Sequence, residues 1–170
     1  LVAAGRPKAR FAVIGEPTGL KPVRMHKGIL MEAIRVEGRS GHSSNPSLGA
    51  NALEGMHEII AALLRWREHL QAERRDTAFA VPVSTMNLGH IRGGDNPNRI
   101  CDSCELHLDV RMLPGMDRQA LREGLRRESR LAITNDQMVV SFEALFDGVD
   151  PMCTPAGSKL VRAAEQLTGS

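Results

Sequence analysis

Hydrophobic positions along the chain change their period several times, and each change marks an element. Phe11-Ala-Val-Ile14 is a continuous apolar run closed by Gly15 and Pro17. That pattern predicts a short strand buried on both faces, as in a parallel sheet. Its carboxyl end carries Glu16, at the edge where open α/β sheets hold their ligands. From Ile29 to Glu37 the period is two. Leu30, Glu32, Ile34 and Val36 share one face, and Met31, Ala33 and Arg35 the other, which predicts a half-buried strand. A loop rich in Gly and Ser follows over Gly38–Pro46. Leu53, Met56, Ile60, Leu63 or Leu64, and Leu70 then keep helical spacing and predict a long helix from Ala50 to about Glu73.

The second half repeats the theme. Val83–Ile91 and Leu106–Met112 read as strands, the latter with Leu106, Leu108 and Val110 alternating against Glu105, His107, Asp109 and Arg111. Gly93-Gly-Asp-Asn-Pro97 between them is rich in turn residues. Pro114-Gly115 ends the second strand, and Asp117 is placed to cap a helix running to about Arg130. Met138–Phe146 is the last strand. Residues 29–146 therefore spell β-α-β-β-α-β, the split βαβ order of ferredoxin-like folds: an antiparallel sheet with two helices on one face. Beyond Asp147 the pattern predicts a short helix capped by Thr154, with Pro155 at its first position and Gly169 at its end. The fold class expected is α+β. A ferredoxin-like βαββαβ domain at 23–147 is flanked by incomplete pieces of an α/β domain at 1–22 and 148–170. The first Met is Met25, and the chain opens almost at once into a strand, so it reads as a piece of a longer protein.

Composition narrows the partners. The 170 residues are 42% hydrophobic and 25% charged, enough for a packed core. Lys plus Arg number 22 and Asp plus Glu 20, a net charge of +2 that offers nothing to a nucleic-acid polyanion. Aromatics are 3%, with no Tyr, so base stacking on the sheet is not expected. No apolar run approaches the ~20 residues that span a bilayer. Three cysteines are too few for a disulfide scaffold and suit a reducing cytoplasm.

Several residues could carry chemistry, and each has a plainer reading. His57-Glu-Ile-Ile-Ala61 starts like a zinc-binding helix but has Ala where the second His must stand, so His57 reads as a surface residue. Cys101-Asp-Ser-Cys104 has ligand spacing without a second pair, and two buried thiols are the better reading. Glu16 is either a solvated loop carboxylate or a metal ligand presented at a sheet edge. His42, in Gly41-His-Ser-Ser-Asn-Pro46, is either a surface His or a donor aimed at a substrate oxygen. Arg111 is either a solvated strand residue or a fork for a carboxylate. Asn98-Arg99 follows the Gly93-Gly94 turn.

Six segments in order carry a resemblance. They are Gly15-Glu-Pro-Thr18, His26-Lys-Gly28, Gly38-Arg-Ser-Gly-His-Ser-Ser-Asn-Pro46, Asn87-Leu-Gly-His-Ile-Arg-Gly-Gly94, Asn98-Arg-Ile-Cys101 and Leu108-Asp-Val-Arg-Met-Leu-Pro-Gly115. Together they resemble the acetylornithine deacetylase / succinyl-diaminopimelate desuccinylase family of dinuclear zinc hydrolases. Asn98-Arg-Ile-Cys101 followed by Cys104-Glu-Leu-His and the Leu-Pro-Gly turn looks most like its acetylornithine deacetylase branch, of arginine biosynthesis. The resemblance implies a zinc-binding α/β domain interrupted by a ferredoxin-like lid that forms a homodimer. It implies two zinc ions per subunit (cobalt as a substitute) and a small N-acyl amino acid as substrate. By position it assigns Glu16 as a ligand to one zinc and His42 as the lid His that supports the oxyanion in the partner subunit. Asn98 matches a lid Asn at the substrate site, and Arg111 the grip on the substrate carboxylate. The other zinc ligands, on a His-x-Asp triplet and a Glu-Glu pair, and the acidic general base are expected outside these residues. The chain alone is thus expected to be inactive. The competing expectation is a stand-alone ferredoxin-like oligomerisation or ligand-sensing module. Within the family, a desuccinylase or a carboxypeptidase is the alternative.

Overall fold

In a computed structural model, which describes residues 9–169, alternation decides the sheet. Leu30, Glu32, Ile34 and Val36 are all buried on one face of β2 (Gly28–Glu37). Cys104, Leu106, Leu108, Val110 and Met112 do the same on β6 (Ser103–Met112), reached after the short strands β1 (Met25–His26) and β3 (Gly41–His42), then β4 (Thr85–Gly93) and β5 (Arg99–Ile100). With β7 (Val139–Val149) the four long strands form one antiparallel sheet in the order β4-β6-β2-β7. That is the ferredoxin-like order the alternation predicts. A bulge between Leu88 and His90 shifts the β4 register, so that Thr85, Asn87, His90 and Arg92 all stand opposite the polar face of β6.

The helices cover the apolar face. α1 (Ala52–Glu73) contributes Ala52, Met56, Ile59 and Leu63, and α2 (Arg118–Ala132) contributes Leu121 and Leu125, to the same core as the inward residues of β2 and β6. Each fully buried aliphatic side chain of this kind is worth about 1.5–3 kcal/mol. Caps fix where the helices start: Asn51 Oδ1 accepts from Leu53 N at 3.1 Å, and Asp117 Oδ1 from Ala120 N at 2.7 Å. Leu53, assigned above to the apolar stripe, is 42% exposed at the first turn of α1. Gly55 takes a core place instead, since a Cβ there would meet Met138 Sδ at 2.7 Å and Ile133 Cδ1 at 3.1 Å.

Contacts divide the chain into two units, Lys27–Pro151 and the residues on either side of it. In the second unit β1 pairs antiparallel with β8 (Met152–Cys153), and α3 (Lys159–Thr168) follows. Two expectations fail here. Phe11–Ile14 forms no strand; Phe11, Val13 and Ile14 are 50%, 78% and 77% exposed, and no described strand pairs with them. A continuous apolar run shows that a segment favours burial but not what will cover it. The last helix is capped at Ser158, not Thr154, which instead donates its backbone N–H to Arg24 O at 2.8 Å. Its far end is as predicted, with Gly169 in the left-handed region at φ 69°.

Candidate active site

Backbone packing builds the loop that carries His42. Gly38 N donates to Asp102 O at 2.8 Å, and Arg39 and Ala50 exchange bonds at 2.9 and 2.8 Å. A Cβ at Gly38 would run into the Ala50 carbonyl oxygen, so only glycine lets the strand leave the sheet so tightly. Gly41 and His42 then pair with Ile100 and Arg99, and Ser43 N donates to Asn98 O at 3.0 Å. His42 and Asn98 are therefore held on adjoining loops, both exposed.

The hydrogen bonds of His42 settle its tautomer. Nδ1 accepts from the Ser44 backbone N–H at 3.3 Å and lies 2.8 Å from Ser44 Oγ. A backbone amide can only donate, so in the neutral ring the proton sits on Nε2. The imidazole thus presents an N–H donor outward from a braced ring. Asn98 is fixed by its backbone, whose N–H reaches Asn96 Oδ1 at 3.1 Å, and its side-chain amide has no hydrogen bond among the described residues.

Arg111 is elsewhere. It lies near the carboxyl end of β6, opposite Ile29 and Thr85, whereas the His42 and Asn98 loops adjoin the start of that strand. The nine residues from Ser103 to Arg111, eight rises of extended strand, span about 26 Å. The structure brings His42 and Asn98 together and sets Arg111 apart from both. Arg111 Nε and Nη2 donate to Asp109 Oδ2 at 3.1 and 2.9 Å. Sequence reasoning passed over Asp109 and Ser44, although spacing of two on a strand and on a tight loop was the available signal in both cases.

Metal-ligand chemistry is sparse. Glu16 is exposed in a turn where Thr18 N donates to its carbonyl at 2.8 Å. A His-x-Asp triplet does occur inside the chain, at His107-Leu-Asp109, contrary to the expectation that this motif lies outside it. It makes no metal pair. His107 Nε2 is 2.8 Å from Glu105 Oε1, and Asp109 is engaged by Arg111. Among the described residues no three His, Cys, Asp or Glu side chains converge. Cys101 and Cys104 are buried, the first donating its thiol to Ser103 O at 3.1 Å, and burial pushes the Cys104 thiol above its ordinary range. They are core thiols.

The sheet's open face is charged along β6. Arg35 Nη2 sits 2.6 Å from Glu105 Oε2, and this guanidinium, with help from His107, holds the Glu105 carboxyl below the usual carboxylate range. The His90 and His107 rings lie 4.8 Å apart, tilted.

Comparison with known proteins gives the family context. The peptidase dimerisation domain profile matches residues 24–131. The chain is 49% identical over 157 residues to an acetylornithine deacetylase of Edwardsiella ictaluri, 92% of this chain and 41% of that protein. It is 56% identical over 114 residues to an acetylornithine deacetylase of Vibrio cholerae, 67% of this chain and 30% of that one. The chain thus spans only about two fifths, or less, of these curated relatives. In fold it is similar to a hydantoinase/carbamoylase family amidase from Burkholderia ambifaria, with a TM-score of 0.66 at 16% identity, covering 86% of this chain and 34% of that one.

Proposed function

This chain belongs to the peptidase dimerisation domain family, and from that premise we propose that it is the lid of a metal-dependent amidohydrolase, with edges of the catalytic domain at 1–22 and 148–170. The whole protein removes the acyl group from an N-acyl amino acid, as an acetylornithine deacetylase does, in the cytoplasm. No described helix is long and apolar enough to cross a membrane, and all three cysteines are free.

The observation that carries this reading is the placement of His42 and Arg111 at opposite ends of β6. A substrate the length of two or three residues spans at most about 10 Å. One lid cannot bring an oxyanion donor and a carboxylate grip to such a molecule when they stand at opposite ends of β6, whose Ser103–Arg111 stretch alone is about 26 Å long. Two lids related by a two-fold axis can, with Arg111 serving one subunit's site and His42 of that chain the other's. In such a homodimer the planar fork of Arg111 holds the substrate α-carboxylate. His42 Nε2–H donates to the oxygen that gains negative charge as the amide carbon becomes tetrahedral, a role worth about 3–4 kcal/mol in hydrolases where it has been removed. Asn98, beside His42, offers its free amide to the same acyl group.

The described residues do not by themselves fit a zinc shell. Glu16 is one carboxylate ligand, and tetrahedral zinc needs more. We place the remaining ligands of two zinc ions, and the general base, outside these 170 residues. The chain alone is accordingly inactive.

The test uses the full-length protein. Incubated with Nα-acetyl-L-ornithine, it should release acetate and a free amine, stop when chelated and recover with zinc or cobalt. Failure to hydrolyse that substrate, N-succinyl-diaminopimelate or a C-terminal dipeptide bond would overturn the reading in favour of a non-catalytic oligomerisation module.

A further inference from the structure

Asp109 and Arg111 are two apart on β6 and share the sheet's open face. A guanidinium has two edges that can meet a planar anion, Nε with Nη2 and Nη1 with Nη2. Asp109 Oδ2 takes the first edge, at 3.1 and 2.9 Å. The second edge has no partner among the described residues. The pair is half shielded, with side-chain exposures of 40% for Arg111 and 28% for Asp109.

Two features make this pair a poor structural device. It joins neighbouring positions of one strand, so it ties no two elements together. Its other carboxylate oxygen, Asp109 Oδ1, is buried with no hydrogen-bond donor among the described residues. An orphaned buried acceptor destabilises a fold, and a native one calls for an explanation outside stability. The explanation lies in what Oδ2 does to Arg111. An arginine on a strand samples several rotamers, and ordering its long side chain costs entropy whenever a ligand binds. A carboxylate already seated on the Nε edge meets that cost beforehand and leaves the Nη1/Nη2 edge open to a second anion.

We propose that Asp109 is a positioning residue for substrate selection: it locks the guanidinium of Arg111 so that its free edge recognises the substrate α-carboxylate by geometry. The proposal rests on the reading of Arg111 as the carboxylate grip. It also fixes a sign. Asp109 neutralises much of the charge of Arg111, so a purely electrostatic site would bind an anionic substrate better without it. A geometric site would bind it worse.

The experiment compares Nα-acetyl-L-ornithine with its α-carboxamide on the full-length protein. Asp109→Asn, nearly isosteric, should raise KM for the acid and lower the acid-over-amide preference in kcat/KM by about tenfold, with kcat changing less. Asp109→Ser should do the same, which guards against an effect peculiar to the amide. In an Arg111→Lys background the Asp109→Asn effect should disappear, because no fork remains to be aimed. A fall in KM, an unchanged preference, or an undiminished effect in the Arg111→Lys background would each overturn the proposal. If Arg111→Lys alone left the preference intact, the grip assignment itself would fail and take this inference with it. The two failures are therefore told apart by the Arg111 variant.

Discussion

Arg122 Nε donates to Glu32 Oε2 at 3.1 Å, and the carboxylate that accepts it is fully buried between the sheet and α2. Arg126 Nε binds the other oxygen at 2.6 Å, so both ends of Glu32 are satisfied from one helix. Glu32 occupies an inward position of β2 that alternation would give to an aliphatic residue. Its two arginines lie one helical turn apart on α2, with side chains 11% and 29% exposed. Arg126 and Arg130 also stack over Phe142 of β7, 5.5 and 4.7 Å from its centroid. The arrangement docks α2 across two strands.

Glu32→Ala should therefore destabilise the protein by about 3–5 kcal/mol, since it strands two partly buried cations. Denaturant unfolding of the chain measures it. A loss under about 1 kcal/mol would show that Arg122 and Arg126 swing out to water and that aliphatic packing alone holds α2.

The three thiols should differ sharply in reactivity. Cys153 is exposed, while Cys101 and Cys104 are 6% and 0% exposed, and burial raises the Cys104 thiol further from its reactive thiolate form. Iodoacetamide at neutral pH should label Cys153 alone in the folded chain and all three after denaturation. Rapid native labelling of Cys101 or Cys104, or its suppression by zinc, would restore the metal reading of that pair.

How much of this was legible in the sequence varies by element. Alternation in β2 and β6, and helical spacing in α1 and α2, point to the ferredoxin-like order because each element buries one face against the same core. Phe11–Ile14 could not be read in the same way, since its burial depends on strands it does not itself specify. The start of α3 was misplaced because Thr154-Pro155 is a good N-terminal signal, whereas the helix begins after Ser158, whose side chain makes no cap bond, and buries Val161. In the site, His42, Asn98, Arg111 and Glu16 stood out only through the ordered motifs, since position alone favoured solvated residues. The separation of His42 from Arg111 needed the pairing of β3 with β5, which holds the His42 loop at the start of β6. The spacing of two placed Asp109 beside Arg111 on one face, but that it takes the Nε edge of the guanidinium needed a rotamer.

Acid should weaken the open face of the sheet through Glu105. Arg35 and then His107 lower its pKa in the folded state, and Arg92 stands opposite on β4. A depressed folded-state value means stability that is present above the ordinary glutamate value of about 4.3 and lost as pH falls through the folded one. Glu105→Gln should flatten the acid limb of a stability–pH profile below about pH 4.5 and leave its shape near neutrality unchanged. An acid limb identical in both proteins would show that the Arg35 contact is too well solvated to matter.

Complementation between subunits tests the division of labour across the dimer. In the full-length protein Glu16→Ala should disable a site through its own metal, and His42→Ala should disable the partner's site by removing its oxyanion donor. Each variant alone should be nearly inactive. When the two are mixed, dissociated and reassociated, about half the dimers are heterodimers, and one of the two sites in each has both Glu16 and His42 intact. Activity should recover to about a quarter of wild type by that two-fold counting. If His42 served its own subunit, every site would still lack one residue and mixing would recover nothing. A substrate would then have to bridge the sheet, or Arg111 would have to be replaced as the grip by a group nearer His42. The second alternative is separable at once: Arg111→Lys would leave carboxylate preference untouched. Recovery on mixing together with a carboxylate-dependent defect in Arg111→Lys would tie both ends of the sheet to two different sites in one dimer.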